Sequence, residues 1–238
     1  MSDRETILGV DVSKETYFSI TKKTFERIEN KEKSFIVAVN PEKIIKASDD
    51  DHLKELINEA DFQIPDGVGL LIASKLKKGS IKNRITGVDL MMRLIKEANE
   101  KDKSIFLYGG KPGIAEKAKE NLLKRLPSLK IAGVLDGYVK DNDQIVDTIN
   151  TANPDLLFVA LGSPRQEEWI IANRDQLNAF VYQGVGGSFD VVAGNVKRAP
   201  LLFRKAGLEW LYRLLREPWR WKRQLALPKF ILKVLTNK

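Results

Sequence analysis

Two stretches of this chain, SFIVAV at 34–39 and the LLFVAL of 156–161, are apolar almost without interruption. Strands that read this way are buried on both faces, whereas a strand with one wet face alternates. Helical patterns separate them from further β-rich runs. From residue 104 the order is strand 104–108, helix 112–126, strand 130–134, helix 142–150, strand 155–161, helix 164–177 and strand 179–183. Upstream lie a strand or hairpin at 7–12 with Gly9 at its bend, a helix at 16–29 and the strand 34–39. One helix spans 41–60, with Pro41 in its first turn. A strand at 61–65 ends in Asp66-Gly67, and helices follow at 69–77 and 89–100. Alternation of this kind predicts an α/β fold, a doubly wound, mostly parallel, Rossmann-like sheet with helices on both faces. The chain past 195 reads differently: helical, basic and holding three of the four Trp. We therefore divide the chain into a body, 1–194, and a C-terminal appendage, 195–238.

Residue supply narrows the chemistry. No cysteine is present and His52 is the only histidine, so thiolate nucleophiles, disulfides, multi-histidine metal sites and Ser–His–Asp triads are poorly provided for. His52 sits in a polar run and reads as a surface residue. Neither a secretory leader nor an apolar run of the roughly 20 residues needed to span a bilayer is seen, which predicts a cytoplasmic protein. Charge is uneven. Residues 195–238 hold 12 of the 40 Lys and Arg against Glu209 and Glu217, leaving 28 basic and 30 acidic residues before them. A near-neutral body with a basic tail calls for an anionic partner at the tail: membrane surface, polyphosphate or nucleic acid.

Ligands bind doubly wound sheets at the carboxyl ends of their strands. Three such ends carry glycine: Gly109-Gly110-Lys111-Pro112-Gly113, Gly162-Ser163-Pro164 and Gly184-Val185-Gly186-Gly187-Ser188. Each precedes a helix whose free N–H groups would face an anion such as pyrophosphate. None is a P-loop or a G-x-G-x-x-G fingerprint, so the expectation is nucleotide binding without a dinucleotide cofactor. Asp66 ends another strand, in Ile64-Pro65-Asp66-Gly67. By spacing alone it is first a turn or N-cap residue, and second a carboxylate at the ligand edge able to take a proton from a hydroxyl. Asn40 after SFIVAV is either a turn residue or a polar group aimed at substrate, and Arg84, between two helices, is either a solvated loop residue or a diphosphate clamp.

The order of motifs resembles the WecG/TagA/CpsF family of glycosyltransferases over nearly the whole chain from about Ile7. It is carried by Val39-Asn40-Pro41-Glu42, Pro65-Asp66-Gly67-Val68-Gly69, Arg84-x-x-Gly87-x-Asp89, Ala160-Leu161-Gly162-Ser163-Pro164-Arg165-Gln166-Glu167, Gly184-Val185-Gly186-Gly187-Ser188-Phe189-Asp190 and Lys197-Arg198-Ala199-Pro200. The end, with Gly207-Leu208-Glu209-Trp210-Leu211-Tyr212-Arg213 and Glu217-Pro218-Trp219-Arg220, is similar to the teichoic-acid branch. The resemblance implies an inverting, metal-independent transfer of N-acetylmannosamine from a UDP donor to undecaprenyl-diphospho-GlcNAc, with no cofactor. It implies Asp66 as the base, with Asn40, Arg84 and Gln166 around sugar and diphosphate. Tyr138 and Asp190 would lie near the nucleoside, and Arg213, Arg220 and Arg223 on the lipid diphosphate. Ala38 departs from the branch, which has Thr there, and so bears on the donor sugar.

In the tail, Arg213, Arg216, Arg220 and Arg223 recur at helical spacing among Trp and Leu, with Pro218 interrupting. Trp and Arg together suit a membrane interface, and a helix pair docked on the body with solvated arginines suits the same pattern. The resulting expectation is an enzyme peripheral on the inner face of the cell membrane, without nucleic acid as partner. A homo-oligomer is left open. The rivals are a nucleic-acid binder using the tail, a nicotinamide-dependent oxidoreductase lacking its glycine fingerprint, and a non-catalytic membrane scaffold. A related transferase using another UDP-sugar is the nearest alternative.

Overall fold

A computed structural model of the chain describes residues 3–216, Pro218, Trp221 and 225–236, without the side chains of Lys205 and Arg213. Its strands are β1 (Arg4–Ile7), β2 (Val10–Ser13), β3 (Ser34–Val39), β4 (Phe62–Pro65), β5 (Ser104–Gly109), β6 (Lys130–Leu135), β7 (Leu156–Ala160) and β8 (Val181–Gly184). β1 and β2 form an antiparallel hairpin through Leu8 and Gly9, both at positive φ. The other six make one parallel sheet in the order β4-β3-β8-β7-β5-β6. The sheet is doubly wound, as the uninterrupted apolar strands require.

The described helices are α1 (Tyr17–Glu29), α2 (Pro41–Ser48), α3 (Asp51–Asn58), α4 (Val68–Leu76), α5 (Gly87–Glu100), α6 (Ile114–Arg125), α7 (Asn142–Ala152), α8 (Arg165–Asn173), α9 (Ser188–Val192), α10 (Leu201–Lys205), α11 (Glu209–Arg216) and α12 (Ala226–Thr236). Strand residues alternate between two cores. Phe35, Val37 and Val39 of β3, with Leu157 and Val159 of β7, meet residues of α2, α3, α4, α7, α8 and α12. Ile36 of β3, with Leu156 and Phe158 of β7, meets α1, α5, α6 and α9. Each strand therefore presents apolar side chains to both layers, with period 2. β5 feeds α6 on one face and its neighbour β7 feeds α8 on the other, which opens a crevice at their carboxyl ends.

The single helix expected over 41–60 is two. Asp50 stops it, accepting a hydrogen bond from the Leu53 N–H at 3.0 Å and so capping α3. A short acid side chain that competes for backbone N–H groups breaks a helix where apolar periodicity alone continues. The helix expected over 164–177 likewise stops at Asn173.

Among the described residues of the tail, α12 is docked in the core rather than laid on the surface. Phe230 and Val234 of α12 are 0% and 1% exposed and belong to the core over β3. α12 packs against α2 and α4, and Leu227 closes on the backbone of Gly69, where a side chain would not fit. Among the described residues no helix is long and apolar enough to cross a membrane.

Candidate active site

Asp66 stands at the carboxyl end of β4, and its N–H donates to the Val39 carbonyl at 2.7 Å, extending the β3–β4 ladder by one residue. It does not cap α4. Gly67, at φ 113°, takes the N-cap position, a conformation that a residue with Cβ rarely adopts. The Asp66 carboxylate turns instead to a different helix. Its Oδ2 accepts a hydrogen bond from the Gly87 N–H at 3.0 Å, at the start of α5. The positive end of α5 thus meets a carboxylate brought from another strand. Ile85 N–H to the Pro65 carbonyl, at 2.9 Å, holds the two segments side by side.

Asn40 and Arg84 arrive at the same place by separate routes. Asn40 follows β3 and caps α2, its Oδ1 accepting from the Lys43 N–H at 2.8 Å. Arg84 donates from Nη2 to the Arg204 carbonyl of α10 at 2.9 Å. Asn40, Asp66 and Arg84 line one cavity of about 250 Å³, which Gly207, Glu209, Trp210 and Leu227 of the tail also line. Asn40 and Leu227, 187 positions apart in sequence, thus line one cavity.

A chain of polar contacts ties this cavity to the tail. The Thr86 hydroxyl, at the N-cap of α5, donates to Asp89 at 2.6 Å, and its N–H donates to the Tyr17 hydroxyl at 2.8 Å. Arg198 forks onto both Asp89 oxygens, with Nη2–Oδ2 at 3.0 Å, and reaches Glu209 of α11 at 3.6 Å. Burial pushes the Asp89 carboxyl up, but the hydrogen bonds from Arg198 and Thr86 together outweigh it and hold the group below the usual carboxylate range. The hydrogen bond to Asp89 in turn raises Arg198. Burial raises the Tyr17 hydroxyl, against its hydrogen bonds with Thr86.

The second site is the crevice at β5 and β7. A groove of about 1070 Å³ runs along it, lined by Gly110, Gly137, Tyr138, Gly162, Gly186, Gly187 and Asp190. Lys111, Lys140 and Arg165 also line it. Tyr138 is 63% exposed at its rim. Gly109 has a different duty: at φ 116°, a Cβ there would lie 2.6 Å from the Ala160 carbonyl, so glycine lets β5 and β7 close up below the groove. Sequence reasoning missed Trp169, the one Trp outside the tail, which lines the groove with its ring 4.8 Å from that of Tyr108. Its indole N–H donates to Asn142 Oδ1 at 2.9 Å. That isolated Trp, one turn after Arg165, was the available signal.

Gln166 lies buried between the two sites. Its Oε1 accepts from the Gly186 N–H at 3.0 Å and its Nε2 donates to Glu167 at 2.9 Å. Glu167 pairs with Lys43 at 2.8 Å, the two side chains 0% and 9% exposed. A polar path therefore runs from the glycine loop after β8, through α8, to α2 and Asn40. Of the tail arginines, Arg220, Arg223 and the Arg213 side chain lie outside the described residues. The backbone of Arg213 is part of α11.

Comparison with known proteins bears on the chain as a whole. The family described as "Glycosyl transferase WecG/TagA/CpsF family" matches residues 5–238. A Bacillus subtilis (strain 168) protein named N-acetylglucosaminyldiphosphoundecaprenol N-acetyl-beta-D-mannosaminyltransferase is 43% identical over 208 residues, 87% of this chain and 81% of the relative. A Staphylococcus aureus (strain MW2) protein of the same name is 37% identical over 235 residues, 98% of this chain and 92% of the relative. A family match spanning the body, both cavities and the tail, with relatives above 30% identity over most of their length, has one meaning: the chain belongs to the WecG/TagA/CpsF family of glycosyltransferases.

Proposed function

We propose that this chain transfers N-acetylmannosamine from UDP-N-acetylmannosamine to the GlcNAc of undecaprenyl-diphospho-GlcNAc, with inversion at the sugar. The observation that carries the reading is the pairing of a carboxylate-bearing cavity with a wider, glycine-lined groove that holds Lys111, Lys140 and Arg165, on one sheet edge. The relatives' names supply the sugar and the acceptor.

In this reading the groove takes the UDP moiety. Tyr138 and Asp190 serve the nucleoside, and the backbone at Gly110, Gly162, Gly186 and Gly187 approaches the diphosphate where side chains would obstruct it. Asp66 removes the proton from the acceptor hydroxyl as that oxygen attacks the anomeric carbon, and the UDP oxygen leaves with the bonding electrons. Developing charge on the leaving diphosphate needs cationic groups and backbone N–H donors. Arg84 at the cavity and Lys111 and Arg165 at the groove are the described candidates. Asn40 orients the sugar, and Gln166 acts indirectly, holding the Gly186 loop. Arg213, Arg220 and Arg223 are assigned to the lipid diphosphate. The domain reading is a catalytic body, 1–194, completed by the appendage 195–238.

A lipid-linked acceptor brings the protein to the inner membrane surface as a peripheral enzyme. The tail offers Leu201, Leu202, Leu215, Trp221, Leu232 and Leu235, all exposed. The test is UDP release from UDP-N-acetylmannosamine with and without a lipid-diphospho-GlcNAc analogue. Acceptor-dependent release with a β-linked product supports the proposal. Release only by hydrolysis, or a clear preference for another UDP-sugar, counts against it.

A further inference from the structure

The helix that starts beside Asp66 is apolar on its outer side. α4 reads VGLLIASKL. Leu70 and Ala73 point inward and are fully buried, while Ile72 and Leu76 are 41% and 46% exposed. A surface helix ordinarily carries polar residues on that side. The chain around it, residues 67–83, holds Lys75, Lys77, Lys78 and Lys82 and neither Asp nor Glu. All four lysines are exposed. Neighbouring α12 adds exposed Leu232 and Leu235.

We propose that α4 is a membrane-docking element of the body, separate from the tail. Ile72 and Leu76 enter the boundary between headgroups and acyl chains of an anionic bilayer, and the four lysines bind headgroup phosphates. The Glu5 carboxylate accepts hydrogen bonds from this segment, at Ser74 and Ser80; aliphatic side chains beside a cluster in which lysines outnumber it match that interface in both polarity and charge. Lysine stems long enough to snorkel let both contacts form together. A second copy of the chain fits poorly, because a two-fold interface here would set the four lysines against the same four. Nucleic acid would engage the lysines and leave Ile72 and Leu76 in water.

The inference deepens the proposed function and rests on its lipid-linked acceptor. α4 begins at Val68, and Asp66, Gly67, Val68 and Gly69 all line the catalytic cavity. Docking α4 would hold that cavity at the surface where a lipid presents its sugar.

The chain has no cysteine, so one introduced thiol reports one position. Full-length Leu76→Cys carrying an environment-sensitive fluorophore is titrated with phosphatidylglycerol-containing vesicles and with pure phosphatidylcholine vesicles. Glu120→Cys, on α6 of the opposite face, is the reference. The expected result is a blue shift at position 76 on anionic vesicles and none at 120. Unlabelled Ile72→Ser/Leu76→Ser should bind those vesicles about tenfold more weakly, with turnover on a short-chain, water-soluble acceptor unchanged. No shift at 76 overturns the proposal, even if the tail carries the protein to the vesicle. A shift that grows with protein concentration without vesicles marks self-association and overturns it too. The transferase reading is judged separately, by wild-type turnover on the soluble acceptor.

Discussion

The carboxylate of Asp66 is held by the N–H of Gly87, 21 residues away, at 3.0 Å. That contact fixes a β4 side chain on the first turn of α5. The positive helix end favours negative charge at that position.

Asp66→Asn keeps an oxygen that can accept from Gly87 and removes the basicity. Turnover should fall about 10²–10⁴-fold, the usual worth of a general base, with the KM for the donor little changed. Steady-state UDP release, with a thermal melt to show the fold intact, checks this. Wild-type turnover in the variant would end the assignment of Asp66 as base.

Lys43 and Glu167 form a buried pair at 2.8 Å, and Glu167 Oε2 has no hydrogen-bond partner among the described residues. Lys43→Met leaves that carboxylate uncompensated, so denaturant unfolding should show a loss of about 3–5 kcal/mol. Adding Glu167→Gln should recover a large part of it, a coupling that a double-mutant cycle measures. Equal losses that simply add would mean that the pair is not coupled.

Arg198 links Asp89 of α5 to Glu209 of α11. Arg198→Ala should raise the KM for the acceptor more than it lowers kcat, and open residues 200–216 to limited proteolysis. The pair also has a pH signature. Asp89 has a lowered value in the folded state, so its stabilising contribution is full above the unfolded carboxyl pKa of about 3.9. It is lost as pH falls through the lower folded value. The stability gap between wild type and Arg198→Ala should therefore be flat at neutral pH and shrink only below about pH 4.

Phe230, fully buried, anchors α12 in the core over β3. Phe230→Ala should cost about 3–5 kcal/mol, far more than a residue of a detached tail. A melting temperature within error of wild type would show that α12 is not docked in solution.

Sequence periodicity alone determined the fold class. SFIVAV and LLFVAL can be buried on both faces only in a sheet covered twice, and that condition needs no knowledge of the rest of the chain. The edge that carries the two cavities was legible for the same reason, since glycine and Asp66 sit where strands end. What periodicity missed was local competition, as at Asp50, where a side chain takes a backbone N–H and ends a helix early. Site assembly was beyond spacing. Asp66 read as a cap for the helix that follows it, and the tertiary structure gives that cap to Gly67 and turns the carboxylate to α5. Asn40, Asp66, Arg84 and Leu227 lie far apart in the chain and reach one cavity through strand order and helix packing. The motif order pointed to the family, but Trp169 and the Lys43–Glu167 pair came from contacts. Local pattern sets which elements form, because it acts within a turn or a strand; only packing decides which distant side chains meet.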